Sequence, residues 1–360
     1  MVTLEYAQLL LEILNTINYY SMKRCFYFLI SILLLSCNTK NNSDISFIHL
    51  PEPTIISPEI FPEELIMSPP LQLKSFGDNL FFTQPGMGKC ILFYNKKNKR
   101  VQYWGKNGGG PDDFIMTSCV YKNEKDSLIG IFDMNLRKFV NFRIRQTGDS
   151  ISLNALNRIS VRTDSISLIG LKGLDNGFYV GQTGLGSNDM FVLLDKNMKI
   201  QKTFGGKPIK EMPDANFFQM YGWMASWKNK LFFASQTTGY LVCYDISSNN
   251  IKKCWDLWID KPLYDADRKN WKRENKNGFY DIQINEKYIF VSYSGKSFSD
   301  SQVLPQELLV FTHEGKLIKR IKYNKDICLS KFTVQQDTIY AIGGGTITRF
   351  NWRELINKTK

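Results

Sequence analysis

The stretch ILFYNKKNKRVQYW, residues 91–104, contains two strand patterns with a turn between them. An apolar run ends at Tyr94, a turn rich in Asn and Lys follows, and a second run with aromatic residues completes the stretch. This order is typical of a β-hairpin. The pattern recurs in five further stretches: IGIFDMNLRKFVNF (129–142), VLLDKNMKIQKTF (192–204), LVCYDISSNNIKKCW (241–255), LLVFTHEGKLIKRI (308–321) and TITRFNW (346–352). A hairpin that recurs along the whole chain indicates a repeat fold.

A further apolar strand precedes most hairpins, and a fourth candidate precedes several of these strands. The second-strand candidates are NLFFTQ (79–84), SLIGIF (127–132), GFYVGQ (177–182), KLFFASQ (230–236), YIFVSYS (288–294) and TIYAIGG (338–344). The first-strand candidates are FIMTSCVY (114–121), RISVRTDS (158–165), GFYDIQIN (278–285) and CLSKFTVQ (328–335). The chain is therefore predicted to be all-β, a six-bladed β-propeller of four-stranded antiparallel blades. A β-sandwich is the alternative, but it gives no reason for a sixfold hairpin.

The last blade is short of one strand in this reading. The sixth hairpin stretch ends near Trp352, close to the end of the chain. We therefore expect the last blade to take a strand from the N-terminal region, either residues 45–50 (ISFIHL) or residues 71–76 (LQLKSF).

The glycine-rich stretch YWGKNGGGPDDF, residues 103–114, raises the question of a phosphate-binding loop. A Walker-type loop ends in Gly-Lys-Ser/Thr at the start of a helix, so that backbone N–H groups and the lysine converge on the phosphates. Here Lys106 precedes the glycines, and Asp112 and Asp113 would repel a phosphate. The stretch is better explained as the connection between two blades, with Phe114 as an anchor between them.

The residues Gly105, Gly108, Gly110, Pro111 and Phe114 form a motif that resembles the one in the NHL and TolB-like six-bladed propeller lipoproteins of Gram-negative bacteria. The resemblance is strongest over residues 79–114 and is reduced to strand pattern beyond about residue 209. The family usually has Gly-Glu after the proline, where this chain has two aspartates. The resemblance implies a six-bladed propeller carried on a lipid anchor, and it implies no particular reaction.

The N-terminal region contains the pattern of a lipoprotein signal. From Met22 the chain has a basic pair, an eleven-residue run from Cys25 to Leu35, and the sequence Leu-Leu-Ser-Cys that ends at Cys37. The run is too short to span a membrane, which takes roughly 20 apolar residues. We expect residues 1–21 to be a gene-model extension, residues 22–36 a cleaved signal peptide, residues 37–44 a tether, and residues 45–360 the propeller. Lipidation of Cys37 would place the protein in the cell envelope, at the outer membrane; cleavage elsewhere is the alternative.

Composition narrows the range of functions. The net charge is +12, but many cations lie in the hairpin stretches, where lysine protects the edges of sheets from pairing with other chains. We therefore expect no nucleic-acid partner, while an anionic glycan or membrane surface stays open. The chain has only two histidines, which disfavours a histidine metal site or a Ser-His-Asp triad. The five cysteines left after maturation form no regular framework, although a disulfide between Cys243 and Cys254 is an open alternative.

The long connections between strands are predicted to lie at the end of the propeller opposite the hairpins and to form its binding face. Glutamines follow three second strands and would surround one mouth, with aromatic and cationic side chains from the loops beside them. The candidate ligand-binding residues are Gln84, Gln182, Gln236, Tyr221, Trp258, Arg268 and Trp271. These groups suit a neutral polar ligand such as a sugar or peptide. The alternative is that the glutamines belong to turns and the tryptophans pack between blades.

Two classes of function follow. The first is a non-catalytic binding or assembly module for a glycan, a peptide or an envelope protein, with no catalytic residue and no resident cofactor or metal. The second is a calcium-dependent propeller hydrolase or lyase of the lactonase type, whose ion would be held by carboxylates near the axis. The carboxylates available for that site are Asp112, Asp113, Asp214 and Asp256.

Overall fold

A computed structural model of the chain describes residues 47–60, 70–85, 88–161, 166–184, 187–206, 208, 220–247, 250–265, 272–324 and 327–357. Within these ranges the backbone forms 26 β-strands and one helix, α1 (Trp352–Asn357). The strands lie in six sheets, and the first strand of one sheet packs beside the next sheet around a common axis. The prediction of an all-β, six-bladed propeller is confirmed. No helix in the described ranges has the length and apolar character needed to cross a bilayer.

Two short strands, β1 (Thr54–Ile56) and β2 (Glu59–Ile60), precede the first blade. Blades 1 to 3 are formed in chain order by β3 (Gln72–Phe76), β4 (Asn79–Thr83), β5 (Lys89–Asn95), β6 (Val101–Asn107) and β7 (Asp113–Phe114); by β8 (Thr117–Asn123), β9 (Leu128–Asp133), β10 (Lys138–Thr147) and β11 (Ser150–Ser160); and by β12 (Leu168–Gly173), β13 (Tyr179–Thr183), β14 (Phe191–Leu194) and β15 (Ile200–Phe204). Within these sheets neighbouring strands are antiparallel, except that β7 adds in parallel to β6.

Blades 4 to 6 continue the same order. They are formed by β16 (Gly222–Trp227), β17 (Lys230–Ser235), β18 (Tyr240–Ile246) and β19 (Ile251–Trp258); by β20 (Phe279–Ile284), β21 (Tyr288–Tyr293), β22 (Glu307–Thr312) and β23 (Leu317–Tyr323); and by β24 (Lys331–Gln335), β25 (Thr338–Gly343) and β26 (Thr346–Asn351). The innermost strands of the six blades are β3, β8, β12, β16, β20 and β24.

The ring is closed by β2, which is the outermost strand of blade 6. Glu59 lies opposite Arg349 in the antiparallel pair of β2 and β26. The Arg349 guanidinium donates two hydrogen bonds to the Glu59 carboxylate, at 2.7 and 2.6 Å. The N-terminal origin of the closing strand is as predicted, but both segments named for it were wrong. Residues 72–76 are instead the innermost strand of blade 1, because their alternating burial fits a strand at the axis.

Residues 47–60, which we call the N-terminal strap, also run along the rims of blades 4 and 5. The Ile48 N–H donates to the Trp258 carbonyl at 2.9 Å, at the outer edge of blade 4. In blade 5, β1 adds in parallel to β23, with Thr54 opposite Ile321. The strap therefore protects three neighbouring rims from pairing with other chains.

Blade 2 departs from the predicted strand register. Residues 129–142 form β9 and β10, the second and third strands, whereas the corresponding stretches of blades 1, 3, 4 and 5 form the third and fourth strands. Asp133 supports this earlier turn, since its Oδ1 accepts from the Asn135 and Leu136 N–H groups at 3.0 Å. The fourth strand is β11, reached through a turn in which Gly148 has a φ of 57°. Residues 158–160 therefore end blade 2, and the first strand of blade 3 begins only at Leu168.

The faces of neighbouring blades form the hydrophobic core. Phe114 is fully buried and packs near Trp104 and Phe142, each at a ring-centroid distance of 6.2 Å, between blades 1 and 2. The glycine-rich connection before it is closed by Asp113, whose Oδ2 accepts the Gly110 N–H at 2.9 Å. A carboxylate therefore occupies the N–H group that a phosphate would need, and the interpretation as a connection between blades with Phe114 as anchor is confirmed. The Cys243 and Cys254 thiols are free, so the disulfide considered for them is not formed.

Candidate functional site

A cavity of about 790 Å³ opens on the axis at the end of the propeller where the turns between first and second strands lie. Its walls come from residues 119–124 of blade 2, 172–175 of blade 3, 225–228 of blade 4 and 283–284 of blade 5, together with Lys74 of blade 1. Sites for small molecules occupy roughly 300 to 1,000 Å³. The axial cavity is therefore large enough for a small organic ligand.

Three lysines extend from innermost strands into the axial region: Lys74 on β3, Lys172 on β12 and Lys331 on β24. The Lys74 ammonium donates to the Gln283 Oε1 of blade 5 at 2.6 Å. The Lys331 ammonium lies 3.0 Å from the centre of the Trp223 ring of blade 4. Because each contact joins blades that are not neighbours, these side chains reach across the axis.

The hydrogen-bond acceptors of the three ammonium groups are neutral oxygens. Lys172 donates to the Cys119 carbonyl at 3.0 Å, and Lys331 donates to the Tyr280 carbonyl. The nearby Asp281 carboxylate is occupied by other donors, since its Oδ2 accepts the Phe332 N–H at 3.0 Å. Its Oδ1 accepts the N–H of its neighbour in β20 at 2.8 Å. Within the described residues, none of the three lysines forms an ion pair.

Burial lowers the pKa of all three axial lysines. Removal from water lowers the pKa of Lys74 to about 8, and the charge of Lys172 acts in the same direction. Burial likewise lowers the pKa of Lys331 to about 7, against the opposing effect of Asp281. The pKa of Lys172 is also lowered by burial. The axial region thus holds three buried lysines beside one carboxylate, that of Asp281, whose charge acts to raise all three pKa values.

The mouth of the axial cavity carries charges of both signs and two tyrosines. The Lys122 ammonium pairs with the Glu124 carboxylate at 2.8 Å. The Tyr121 hydroxyl donates to the Asn141 Oδ1 at 2.5 Å, and Tyr121 lines the wall. Tyr179 lines the same wall. Paired charges at the mouth leave the excess of positive charge in the interior.

Sequence reasoning missed the axial lysines. Each of Lys74, Lys172 and Lys331 is the one charged residue of its innermost strand, in QLKSF, LIGLKG and KFTVQ. The sequence interpretation assigned the positive charge to the hairpins at the rim and named no cation at the axis. A lysine that is the one charged residue of an innermost strand is the signal that distinguishes an axial cation from a cation at the rim.

The three predicted glutamines do not line the axial cavity; they support backbone and indole groups at the opposite end. Gln84 donates from Nε2 to the Lys89 carbonyl at 3.2 Å, and Gln182 donates to the Met220 carbonyl at 3.3 Å. Gln236 accepts from the Trp223 Nε1 at 3.1 Å. Gln84 and Gln236 directly follow the second strands of their blades, whereas Gln182 lies within β13.

The remaining site candidates are dispersed. Tyr221 and Gln182 border a recess of about 30 Å³ at the end opposite the axial cavity. Trp258 is 1% exposed and packs against Tyr240 with a ring-centroid distance of 4.5 Å, so neither face of its ring is free for a ligand. Arg268, Trp271 and Cys37 lie outside the described residues.

The carboxylates considered for a calcium site are not brought together. Asp112 pairs with Arg158, and Asp256 pairs with Lys253 at 2.9 Å on the outer strand of blade 4. Asp113 closes the connection between blades 1 and 2, on the opposite side of the ring from blade 4. Asp214 lies outside the described residues. Over the described ranges, His, Cys, Asp and Glu side chains form no group of three or more that could hold a metal ion.

The sequence model of the family described as TolB-like 6-blade propeller-like matches residues 54–337. The chain belongs to this TolB-like propeller family. The match begins at β1 and covers the innermost strands of all six blades, and with them the axial lysines. A search among curated proteins finds no sequence relative.

This TolB-like propeller is similar to several solved structures. The crystal structure of an exported protein from Bacteroides fragilis NCTC 9343 has a TM-score of 0.52 and 13% identity, over 84% of this chain and 90% of that chain. A luciferin-regenerating enzyme has a TM-score of 0.44 and 10% identity, over 76% and 87%. A PQQ-bound aldose sugar dehydrogenase from Streptomyces coelicolor has a TM-score of 0.46 and 10% identity, over 82% and 96%. At 13% identity the likeness to the exported protein shows the fold alone.

Proposed function

We propose that this chain is a non-catalytic binding module of the cell envelope, lipid-anchored at Cys37, that takes part of a glycan or peptide into its axial cavity. The single observation that carries the proposal is the cavity of about 790 Å³ on the axis of a rigid propeller. Ammonium, amide and aromatic groups line it, and such groups recognise ligands by charge, hydrogen bonding and stacking. The site therefore lies at the hairpin end rather than among the long connections.

Binding in the axial cavity is tested by filling it. A Cβ at Gly173 would lie 3.4 Å from the Tyr121 ring and 3.5 Å from the Tyr179 ring, both of which line the cavity. We expect Gly173→Leu to abolish binding in ligand-observed NMR of a panel of mono- and disaccharides, sugar acids and dipeptides. Gly109→Leu is the matched control, because a Cβ at Gly109 meets open space. Binding that survives Gly173→Leu, or a panel from which nothing binds the wild-type protein, would contradict the proposal.

The anchor is tested separately by cell fractionation. We expect Cys37→Ser to move the protein from the membrane fraction to the soluble fraction. Cys254→Ser is the control, because it removes an exposed thiol of the propeller and leaves the N-terminal region unchanged. A Cys37→Ser protein that stays with the membrane would contradict lipid anchoring.

A further inference from the structure

We infer that the axial cavity selects a small anionic ligand, one that presents a carboxylate or phosphate group to Lys74 and Lys172. The inference rests on the proposed binding function and deepens it by naming the ligand class. It departs from the neutral sugar or peptide that the glutamines and tryptophans had indicated.

The lining of the axial cavity carries more positive than negative side chains. The lining contains the lysines Lys74, Lys122, Lys172 and Lys228 and the carboxylates Glu124 and Asp175. Four ammonium groups against two carboxylates leave an excess of two positive charges. Since Lys122 and Glu124 neutralise each other at the mouth, part of this excess lies in the interior. A cleft that carries one sign of charge between walls of low dielectric attracts ligands of the opposite sign.

Lys74 and Lys172 have hydrogen-bond donors that the described residues do not use. An ammonium group has three N–H donors. Within the described residues, Lys74 uses one donor on the Gln283 amide and Lys172 uses one on the Cys119 carbonyl. Lys172 is only 6% exposed, so its remaining donors have little access to bulk water. An oxyanion in the cavity would accept these donors and balance the positive charge that exceeds the single carboxylate of Asp281.

Burial of the Lys74 and Lys172 ammonium groups opposes folding. A buried cation that forms no ion pair destabilises the folded state, and an apolar residue of similar length would be tolerated better at such a position. A ligand that binds only the folded state restores that stability by mass action. Lys74 and Lys172 are therefore better explained by an anion that they bind than by packing.

The coupling to protons follows from the groups that face Lys74. These groups are the ammonium groups of Lys122, Lys172 and Lys331, the Cys119 thiol and the Asp281 carboxylate. Desolvation and the neighbouring ammonium groups lower the pKa of Lys74 to about 8, and a bound anion would raise it again. We therefore expect the affinity for an anion to fall as the pH rises above 8, and binding in that range to take up a proton.

The experiment is isothermal titration calorimetry with matched neutral and anionic probes. Glucose is paired with glucuronate to test the carboxylate, and glycerol is paired with glycerol phosphate to test the phosphate. We expect at least one anion to bind at least roughly tenfold more tightly than its neutral partner at about pH 7, and to bind less tightly at about pH 9.5. The arm with the larger preference distinguishes a carboxylate ligand from a phosphate ligand.

Variants locate the binding. We expect Lys172→Met to weaken anion binding at least roughly tenfold, Lys172→Arg to retain most of it, and Lys202→Met to leave it unchanged. Lys202 is the control because it is exposed on β15, the outermost strand of the same blade. If Lys172→Met does not fold, Lys74→Met gives the same test from another blade.

The outcomes separate the inference from the proposed function. Equal affinity for the neutral and the anionic probe in both pairs, with loss of binding in Gly173→Leu, would overturn the anion inference and retain the binding function. Anion binding that Lys172→Met and Lys74→Met leave unchanged would also overturn it. Absence of binding by all four probes would overturn the anion inference, whereas the proposed function would then depend on the wider panel.

Discussion

Blade 3 places two lysines in opposite environments. Lys202 lies on β15 at the rim and is exposed to solvent, whereas Lys172 lies on β12 at the axis and is 6% exposed. The rim lysine keeps its hydration and discourages another chain from pairing with the blade. The axial lysine loses its hydration and gains a hydrogen bond to a backbone carbonyl and the more distant charge of Asp281. One residue type therefore protects the fold at the rim and opposes it at the axis, and only the second arrangement calls for a ligand.

The comparison between rim and axis can first be tested at the rim, where the N-terminal strap supplies the closing strand. Replacing residues 47–60 with a Gly/Ser segment of equal length should lower the free energy of unfolding by on the order of 3 to 5 kcal/mol, because the backbone hydrogen bonds of blades 4, 5 and 6 are lost. Denaturant titration measures this loss. An unchanged midpoint would mean that the ring closes without the strap.

The pH dependence of stability tests the axis. Lys74 and Lys331 have lowered pKa values of about 8 and about 7 when folded, so above these values the unfolded chain binds more protons than the folded one. The free energy of unfolding should therefore rise with pH between about pH 7 and about pH 9.5, by up to about 1.4 kcal/mol per pH unit for each group. Denaturant titrations across this window measure the slope, and Lys331→Met should reduce it. A slope that is identical in the variant would contradict the assignment.

The upper limit of that window is set by buried tyrosines. Burial raises the pKa of Tyr121 and Tyr221 to about 12, so the unfolded chain loses tyrosine protons at a lower pH than the folded chain does. This effect lowers stability above about pH 10 and opposes the effect of the lysines. The two effects are separable because Lys331→Met removes the contribution of Lys331 and leaves that of the tyrosines unchanged.

The smallest effects come from the matched pair in blade 3. Without ligand, Lys172→Met should raise the free energy of unfolding at about pH 7 by on the order of 1 to 3 kcal/mol, because it replaces a buried ammonium with an apolar side chain of similar length. Lys202→Met should change it by less than about 0.5 kcal/mol. Thermal melts of the two variants beside the wild type measure the difference. Destabilisation by Lys172→Met would mean that its hydrogen bond to the Cys119 carbonyl outweighs the burial of its charge.

The fold could be predicted from the sequence because local patterns determine it. Each hairpin has its own turn residues, and Asn95 illustrates this, since its Oδ1 accepts the Lys97 N–H at 2.9 Å. The errors lay where pairing is decided by distant residues. β2 has only two residues, so no strand pattern marks it, and its pairing depends on Arg349 nearly 300 positions later. The strand register of blade 2 was predicted wrongly because its turn at Asp133 joins the second and third strands. Turns of the same chemistry join the third and fourth strands in other blades.

The candidate site could not be predicted in the same way, because the cavity is formed by side chains from five blades. Length of connection and aromatic content pointed to the opposite end of the propeller, where Trp258 proves to be core. Sequence spacing does not tell that Lys74 and Gln283 meet across the axis, 209 positions apart. The three lysines can be read from the sequence, but only the closed ring of blades shows that they share one location.

The most direct test of the anionic axial site is NMR titration of the lysine side chains, with Lys74→Arg and Lys172→Arg to assign the signals. The account predicts that the pKa of Lys74 lies near 8 in the free protein and rises when glucuronate or glycerol phosphate binds. The signal of Lys202, which is exposed at the rim, should not respond to either probe. An ordinary pKa for Lys74, or a lowered pKa that no anion changes, would contradict the account.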